Sequence, residues 1–164
     1  YSPTFTIPRG VMAKTGAKIM GLADPTKKMS KTDENENNVV FMDDDDETIR
    51  RKFKRAVTDS LGRIKFCEEQ PGVSNLLTIY SIMKGISIEE AEKHFEGLGY
   101  SELKMQTADS VIERLTPVRN KVKELLANKD YLDILMREGA EKASAIARKT
   151  LRKVYKKVGL VPMA

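Results

Sequence analysis

The sequence predicts a mostly α-helical protein, with a helical bundle over residues 47–164 and a segment of short strands and loops over 1–46. Its composition is typical of a helix-rich globular chain, since 32% of the 164 residues are charged, 40% are hydrophobic and only ten are Gly. Apolar residues recur with a helical period after residue 46, whereas Pro and Gly punctuate short apolar pieces before it. This change of pattern places the candidate domain boundary near residue 46.

The segment before residue 46 alternates short apolar pieces with polar turns. We expect strands at Phe5–Ile7 and Ile19–Leu22, because each is a short apolar run close to Pro or Gly. Residues 24–44 are rich in Asp, Asn and Glu and carry no helical period, so they predict a loop around a short strand at Val39–Met42.

Three shorter helices are predicted to follow. The first covers about residues 46–57, after acidic residues that complement the positive end of the helix dipole. Ser74 is the predicted N-cap of the second helix, and Gly85 is its stop. Ser87 and Glu90 have the spacing of a capping box, which predicts the start of the third.

Two long helices complete the prediction. One spans about 100–127, where Pro117 is expected to cause a kink, and the other runs from an Asp130 cap to Val158, just before Gly159. The stripe expected to be buried on the first consists of Val111, Ile112, Leu115, Val118, Val122, Leu125 and Leu126. The stripe expected to be buried on the last helix consists of Leu132, Leu135, Met136, Ala140, Ala143, Ala147, Leu151 and Val154. Its small residues allow another backbone to approach closely, which favours docking of this helix on a further domain.

The counts of Cys and His exclude several kinds of site. Cys67 is the only cysteine and His94 the only histidine, so an intrachain disulfide is impossible and a Cys/His zinc site is not expected. The sequence places no catalytic partner beside His94, so the expected role is a surface or half-buried histidine. Cys67 is expected to be structural or incidental. No apolar run reaches the roughly 18–20 residues of a membrane span, and residues 1–10 do not resemble a signal peptide. We therefore expect a cytoplasmic protein with no membrane partner and no bound metal.

Positive charge is concentrated in two predicted helical segments. Residues 50–65 carry seven Lys or Arg against Asp59, and residues 137–164 carry eight against two Glu, so each has a net charge of +6 in a chain whose total is +5. Such segments are typical of a surface that binds a polyanion such as RNA. They are also common as solvated helix faces, and charge alone leaves both interpretations open.

The acidic run at 43–47 also has two interpretations. Its carboxylates could bind Mg²⁺ or Ca²⁺, but their consecutive spacing differs from the alternate spacing of calcium loops. An acidic cap at the start of the first helix is the favoured role.

The polar loop contains the most informative stretch, Lys27–Thr32. Lys28 and Lys31 lie three residues apart, so both can reach one polyphosphate, and the hydroxyls of Ser30 and Thr32 add hydrogen-bond donors. A loop of this kind assists phosphoryl or nucleotidyl transfer by positioning and by neutralising developing negative charge. An ordinary basic surface loop fits the hexapeptide equally well.

A family resemblance extends beyond that hexapeptide. Lys28–Thr32 resembles the KMSKS signature of class I aminoacyl-tRNA synthetases. The other blocks that resemble the bacterial-type tryptophanyl branch of this family are Gly16–Met20, Asp24–Lys27, Arg55–Ser60, Gly72–Leu77, Phe95–Gly97 and Gly139–Ala143. These blocks are collinear and span almost the whole chain, and the tyrosyl branch fits them less well.

The resemblance implies a fold and a two-step reaction. Residues 1–46 would be the tail of a Rossmann-type nucleotide-binding domain, and residues 47–164 a helical anticodon-binding domain with a C-terminal helix. In such enzymes ATP activates tryptophan as an aminoacyl-adenylate, and the aminoacyl group then passes to the terminal ribose of tRNA. ATP would enter with Mg²⁺ as a substrate, and the tryptophan isoacceptor of tRNA would bind the basic helices.

The same resemblance assigns roles around the loop. Lys28 and Lys31 would hold the leaving pyrophosphate, with Lys31 the first choice for stabilising the transition state. The main chain of Met29 and the side chain of Ile19 would lie beside the adenosine, and the two hydroxyls would hydrogen-bond phosphates or set the shape of the loop. The expected nucleotide-binding residues are therefore Ile19, Lys28, Met29, Ser30, Lys31 and Thr32.

Three departures from the family pattern affect these expectations. Thr32 stands where the signature has Ser, which keeps the hydroxyl, and Asp33–Glu36 lacks the prolines usual there, which predicts a less rigid loop. The HIGH-type motif, the tryptophan pocket and an acidic ribose-binding motif have no counterpart in this sequence. We therefore expect a C-terminal fragment that is inactive without its N-terminal half. The resemblance also implies that the parent is a homodimer.

Two other functions stay open at this level. A stand-alone helical RNA-binding module would bind tRNA with a steep salt dependence and would need no partner half. A purely structural helical scaffold would have neither property.

Overall fold

The computed structural model describes residues 2–13 and 15–161, and helices joined by loops make up that part of the chain. Its elements are a 3₁₀ turn at Glu36–Asn38 and the helices α1 (Asp46–Lys54), α2 (Pro71–Lys84), α3 (Ile88–His94), α4 (Tyr100–Ala127) and α5 (Lys129–Val158). The predicted mostly α fold is therefore confirmed.

By their contacts the residues form two compact units. One is Met12–Asn120, and the other combines Tyr1–Val11 with Lys121–Ala164. The predicted division into 1–46 and 47–164 rests on the change of sequence pattern and on the functions expected of each part, and it stays a prediction.

Local sequence signals set several helix ends as predicted. Asp45 caps α1, because its Oδ1 accepts the third backbone N–H of the helix at 2.7 Å. Ser87 and Glu90 form the reciprocal capping box of α3. Gly85 and Gly159 end α2 and α5 in the left-handed region, at φ +69° and +75°.

Two predicted helix starts are wrong. Helix α2 begins at Pro71, whose fixed φ and missing N–H suit the first helical turn. The Ser74 hydroxyl instead bonds the preceding loop: it accepts the Cys67 N–H at 3.0 Å and donates to the Cys67 carbonyl at 2.8 Å. Helix α5 is capped by Asn128 rather than Asp130, because Asn128 Oδ1 lies 3.2 Å from the N–H that it accepts.

The predicted strands are also absent from the residues that the structure describes. Met20 and Lys28 form an isolated antiparallel bridge, and Phe5–Ile7 and Val39–Met42 have no regular secondary structure. A strand needs a neighbour that pairs with successive residues, and these segments have none. The Ile7 side chain is accordingly 91% exposed.

One hydrophobic core lies within the unit Met12–Asn120. It joins α1, α2, α3 and the N-terminal half of α4. Its fully buried large hydrophobic side chains are Leu22, Ile49, Phe53, Val73, Leu76, Leu77, Phe95 and Leu103. Leu22 anchors the loop that carries the Lys28–Thr32 segment to this helical core.

The chain after α1 is tied to the same loop. Helix α1 ends at Lys54, earlier than expected, and the Val57 N–H donates to the Leu22 carbonyl at 2.8 Å. Gly72 lies directly beside this contact, since a Cβ atom on it would come within 2.1 Å of the Val57 oxygen. Only glycine therefore fits at the start of α2 without moving this segment.

Burial along α4 decreases toward its C-terminus. Val111 and Ile112 are buried, whereas Val118, Val122 and Leu126 are 43%, 48% and 59% exposed. The helix continues through Pro117, and the expected kink stays a prediction. The periodic stripe is therefore a core stripe only in its first half.

Helix α5 contains no buried residue, which contradicts the expected buried stripe. Leu135 and Met136 are 42% and 63% exposed. A helical period identifies the residues that share a face, but it does not tell whether another element covers that face. The expected docking of the stripe on a further domain stays a prediction.

Residues 2–5 contact the C-terminal half of α5. Lys157 Nζ donates to the Pro3 carbonyl at 2.5 Å and to the Thr4 hydroxyl at 2.9 Å. Phe5 lines a groove of about 460 Å³ together with residues of the last turns of α5, including Leu151. No helix in the described ranges is long and apolar enough to cross a membrane.

Candidate functional site

A short hairpin presents the segment Lys28–Thr32. Its two limbs are paired by Gly21 N–H, which donates to the Lys27 carbonyl at 2.9 Å, and by Met29 N–H, which donates to the Ile19 carbonyl at 2.9 Å. Ile19 and Met29 are half-buried and pack against the helical core. The hairpin therefore holds the start of the segment firmly on the core.

The turn of the hairpin is closed by Asp24. Its carboxylate accepts the N–H and the hydroxyl of Thr26, and it pairs with Lys27 Nζ at 3.2 Å. The Thr26 hydrogen bonds, assisted by Lys27, lower the pKa of Asp24. Lys27 is thus directed to the turn rather than to the segment that follows.

Lys28 and Lys31 differ from Lys27 in this respect. Both are exposed, and the structure gives neither an ion pair with any described residue. Their charges are therefore available to an external anion.

The two hydroxyls of the segment bond each other. Ser30 Oγ and Thr32 Oγ1 lie 3.0 Å apart, and the Asp33 N–H donates to the Ser30 carbonyl at 3.1 Å. Together these bonds form a compact turn between Lys28 and the segment 33–37, which we call the return limb. In this conformation the hydroxyls contribute to the shape of the loop.

Sequence reasoning missed Asn38, which holds the return limb. This asparagine is only 2% exposed. Its Oδ1 accepts the N–H groups of Ala23 and Asp24, and its Nδ2 donates to Asp33 Oδ2 at 2.7 Å. The available signal was its place directly before the apolar pair that starts at Val39, because a polar residue drawn into a core must find partners there.

Asn75 was missed for a similar reason. It interrupts the apolar pattern of α2, is 5% exposed, and bonds the Met20 backbone twice. Asn75 Oδ1 accepts the Met20 N–H at 2.9 Å, and Nδ2 donates to the Met20 carbonyl at 2.9 Å. The signal in the sequence was an asparagine beside Leu76 and Leu77 in an apolar helix, but sequence alone does not reveal the partner of its amide.

The acidic run forms the cap that the sequence favoured. Besides the Asp45 cap, Asp44 pairs with Lys52, and Asp46 pairs with Arg119. Hydrogen bonds from Thr48 lower the pKa of Asp45. The run thus ties α1 to the preceding loop and to α4.

The lone histidine and cysteine also have structural roles. His94 is exposed as expected, with Nε2 2.7 Å from Gln106 Oε1 and its ring stacked on Tyr80 at a centroid distance of 5.4 Å. A hydrogen bond with Glu69, assisted by burial, raises the pKa of Cys67. The cysteine therefore favours the neutral thiol, which is a poor nucleophile.

A basic groove lies between α1 and the start of α4. It has a volume of about 740 Å³, and its lining residues are Glu47, Arg50, Arg51, Lys54, Ser101, Lys104 and Met105. Arg50 also pairs with Asp109 at 3.0 Å, and burial lowers the pKa of Lys104. Four cations against one carboxylate in this lining suit an anionic ligand.

Comparisons with known proteins agree with this architecture. The chain matches the model of the family described as tRNA synthetases class I (W and Y) over residues 1–116. It is 50% identical over 162 residues to the tryptophan–tRNA ligase of Clostridium perfringens and 48% identical over 161 residues to that of Clostridium acetobutylicum. These matches cover 99% and 98% of this chain but 49% and 48% of those proteins.

The fold is shared with a solved structure as well. The crystal structure of tryptophanyl-tRNA synthetase from Mycoplasma pneumoniae matches with a TM-score of 0.80 and 33% sequence identity, over 91% of this chain and 45% of that one. The chain spans about half the length of the curated relatives it matches. On the family match, the identities and the shared fold, the chain belongs to the class I tRNA synthetases of the tryptophan and tyrosine type.

Proposed function

We propose that this chain supplies the ATP-binding loop and the tRNA-binding helices of a tryptophan–tRNA ligase. The observation that carries the proposal is the presentation of Lys28 and Lys31, exposed and unpaired among the described residues, on a hairpin held to the core. The 50% identity to a relative named tryptophan–tRNA ligase supports the same substrate class. Residues 1–46 would then serve the catalytic domain, and 47–164 the tRNA.

The proposed reaction has two steps. The carboxylate of tryptophan attacks the α-phosphorus of ATP, which enters with Mg²⁺, and pyrophosphate leaves to give the aminoacyl-adenylate. A hydroxyl of the terminal ribose of tRNA then attacks the carbonyl carbon, and AMP leaves. In the first step negative charge grows on the leaving pyrophosphate, so the ammonium groups of Lys28 and Lys31 stabilise that transition state.

The remaining loop residues would bind the nucleotide. Because the Met29 N–H already donates to Ile19, the Met29 carbonyl is the main-chain group that we assign to the adenosine, with the Ile19 side chain beside it. Ser30 and Thr32, which bond each other in this conformation, would turn toward the phosphates when ATP binds.

The basic groove would bind the phosphate backbone of tRNA. Phosphate contacts contribute most of the affinity of proteins for RNA, and the lining of Arg51, Lys54 and Lys104 offers several such contacts on two rigid helices. The tryptophan isoacceptor is the proposed partner, with the tryptophan pocket and the HIGH-type motif in an N-terminal half. The parent is proposed to be a cytoplasmic homodimer.

Tryptophan-dependent ATP–pyrophosphate exchange tests this function. The assay would use the full-length product of the gene that encodes the chain, and the 164-residue chain alone, which we expect to be silent. Lys31→Ala is expected to lower kcat for exchange about 10²–10³-fold, since removing one stabilising donor has that effect on charged transition states. Lys28→Ala should lower it as well.

Lys27→Ala is the matched control, because this neighbouring lysine pairs with Asp24. We expect it to keep kcat within a few-fold of the wild type. Equal losses in Lys27→Ala and Lys31→Ala, or tyrosine-dependent exchange, would contradict the proposal. Salt-dependent tRNA binding without any exchange would favour the stand-alone RNA-binding module instead.

A further inference from the structure

Two buried asparagines hydrogen-bond the loop that carries Lys28 and Lys31, one before these lysines at Met20 and one after them at Asp33. We propose that Asn38 and Asn75 are positioning residues that fix this loop for ATP activation, an inference that rests on the proposed function. Neither asparagine touches the lysines directly; each acts through the backbone or through Asp33.

Asn75 holds the first limb of the hairpin at Met20. It projects from α2, whose neighbours Leu76 and Leu77 are fully buried, so its Cα is fixed by the core. Its amide accepts from the Met20 N–H and donates to the Met20 carbonyl, both at 2.9 Å. Met20 in turn forms the bridge to Lys28. The amide therefore connects the rigid helix to the first lysine through a single residue.

Asn38 holds the return limb. Its Oδ1 accepts from Ala23 and Asp24 at 3.0 and 2.9 Å, and its Nδ2 donates to the Asp33 carboxylate at 2.7 Å. The same asparagine accepts the Leu22 N–H through its own carbonyl at 3.1 Å. It thus joins the turn of the hairpin to the residue that follows the signature segment.

Gly21 makes room for this side chain. A Cβ atom on Gly21 would lie 2.0 Å from Asn38 Oδ1, closer than any real contact. The Asn38 hydrogen bond, followed by the Asn35 N–H, lowers the pKa of Asp33, so its carboxylate is the charged acceptor that the amide requires. Charged acceptors make the stronger hydrogen bonds.

The hydrogen bonds of the two asparagines restrict the movement of the segment between them. Lys28 is bridged to Met20, the Met29 N–H is bonded to the Ile19 carbonyl, and Asn38 holds Asp33, so residues 30–32 lie between these fixed points. Positioning of this kind contributes to the rate because a displacement of about 1 Å at a reacting group can cost on the order of 10²-fold. The two amides therefore fix both ends of the short stretch that carries Lys31, and Asn75 fixes Lys28 through Met20.

Exchanging the amide and the carboxylate between Asn38 and Asp33 distinguishes a positioning role from a general effect on stability. Asn38→Asp keeps the oxygen that accepts from Ala23 and Asp24, but it places a second carboxylate against Asp33. In the full-length protein we expect kcat for pyrophosphate exchange to fall on the order of 10²-fold, while KM for tryptophan stays within a few-fold. Combining it with Asp33→Asn restores one donor and one acceptor, and we expect most of the rate to return.

Two further variants complete the test. Asn37→Asp is the control and should keep the wild-type rate, because within the described residues the side-chain amide of Asn37 bonds only Asn35 Oδ1, at 3.4 Å. Asn75→Asp removes the donor to the Met20 carbonyl and should lower kcat, and Asp33→Asn should not rescue it because Asp33 does not contact Asn75. This variant tests the proposal if Asn38→Asp does not fold. Thermal unfolding of every variant reports how much of each loss is global.

The outcomes distinguish the two proposals. An active wild type whose Asn38→Asp and Asn75→Asp variants keep their kcat overturns the positioning role alone. So does a loss in Asn38→Asp that follows its loss of thermal stability and is not rescued by Asp33→Asn. A silent wild type overturns the proposed function and this inference with it.

Discussion

Lys52 Nζ lies 2.6 Å from Asp44 Oδ2, in an ion pair whose side chains are only 4% and 12% exposed. The same carboxylate oxygen accepts the Phe41 N–H at 2.9 Å, and the ammonium group lies 4.8 Å from the centre of the Phe41 ring. One of the cations in the basic segment 50–65 is therefore a link between α1 and the loop before it. Net charge by segment overstates the charge that α1 offers to a ligand.

Breaking this pair should destabilise the protein. Lys52→Met leaves the Asp44 carboxylate buried without its cation, and we expect the free energy of unfolding to fall by about 3–5 kcal/mol, as is usual when one partner of a buried pair is removed. Urea denaturation of the chain would measure this change.

The double variant tests the cause. Lys52→Met combined with Asp44→Asn removes both charges of the pair and keeps an oxygen that accepts the Phe41 N–H. Most of the lost stability should therefore return. Lys54→Met, a control on the exposed side of α1, should stay within about 0.5 kcal/mol of the wild type. A loss in Lys52→Met no larger than that in Lys54→Met would contradict the buried-pair argument.

Asp59 should make the stability depend on acid pH. Burial by itself would raise its pKa, but hydrogen bonds from Tyr100 and Gln70 more than offset this, and the net effect is a lowered pKa. Its contribution is therefore fully present above the unfolded-state pKa of about 3.9 and is lost as pH falls through the lower folded-state value.

The measurement is the difference in unfolding free energy between the wild type and Asp59→Asn. We expect this difference to be about 1–3 kcal/mol near neutral pH, the usual size for hydrogen bonds to a charged group, and to shrink steadily below roughly pH 4. A difference that is constant from neutral to strongly acid pH would show that the charge of Asp59 has no part in it.

The basic groove predicts a salt-dependent effect on tRNA binding. Arg51→Glu and Lys54→Glu should each weaken binding and reduce the slope of log K against log salt by about 1, the value for one lost phosphate contact. Lys93→Glu makes the same change in net charge on the exposed face of α3, outside the groove, and should have a smaller effect. Equal effects of all three substitutions would mean that only net charge matters.

Two glycines in helices predict opposite outcomes. Gly72→Ala would drive a Cβ atom to 2.1 Å from the Val57 oxygen, so we expect a loss of about 1–3 kcal/mol from overpacking. Gly139→Ala on α5 meets no atom within 4 Å and should stabilise the protein by about 0.5–1 kcal/mol through helix propensity. Thermal unfolding of both variants measures the contrast, and a stabilised Gly72→Ala would contradict the close approach of these backbones.

Features that depend on residues close together in the chain were predictable from the sequence. The mostly α class, the long helix Tyr100–Ala127, the Asp45 cap and the Ser87 capping box were all predictable, because caps and helical period act within one or two turns. The Lys28–Thr32 segment was also recognisable from its residues, and its family is confirmed. Its catalytic role stays a prediction.

The residues that hold that segment, and the helix faces that are covered, became known from the three-dimensional fold. Asn75 meets Met20 across 55 positions of sequence. Lys52 turns inward to Asp44, although the basic side chains of Arg51 and Lys54 on the same helix are exposed. The stripe of α5 stays exposed in spite of its regular period. A side chain's partner depends on how the chain returns in space, and the pattern of a single segment carries no information about that return.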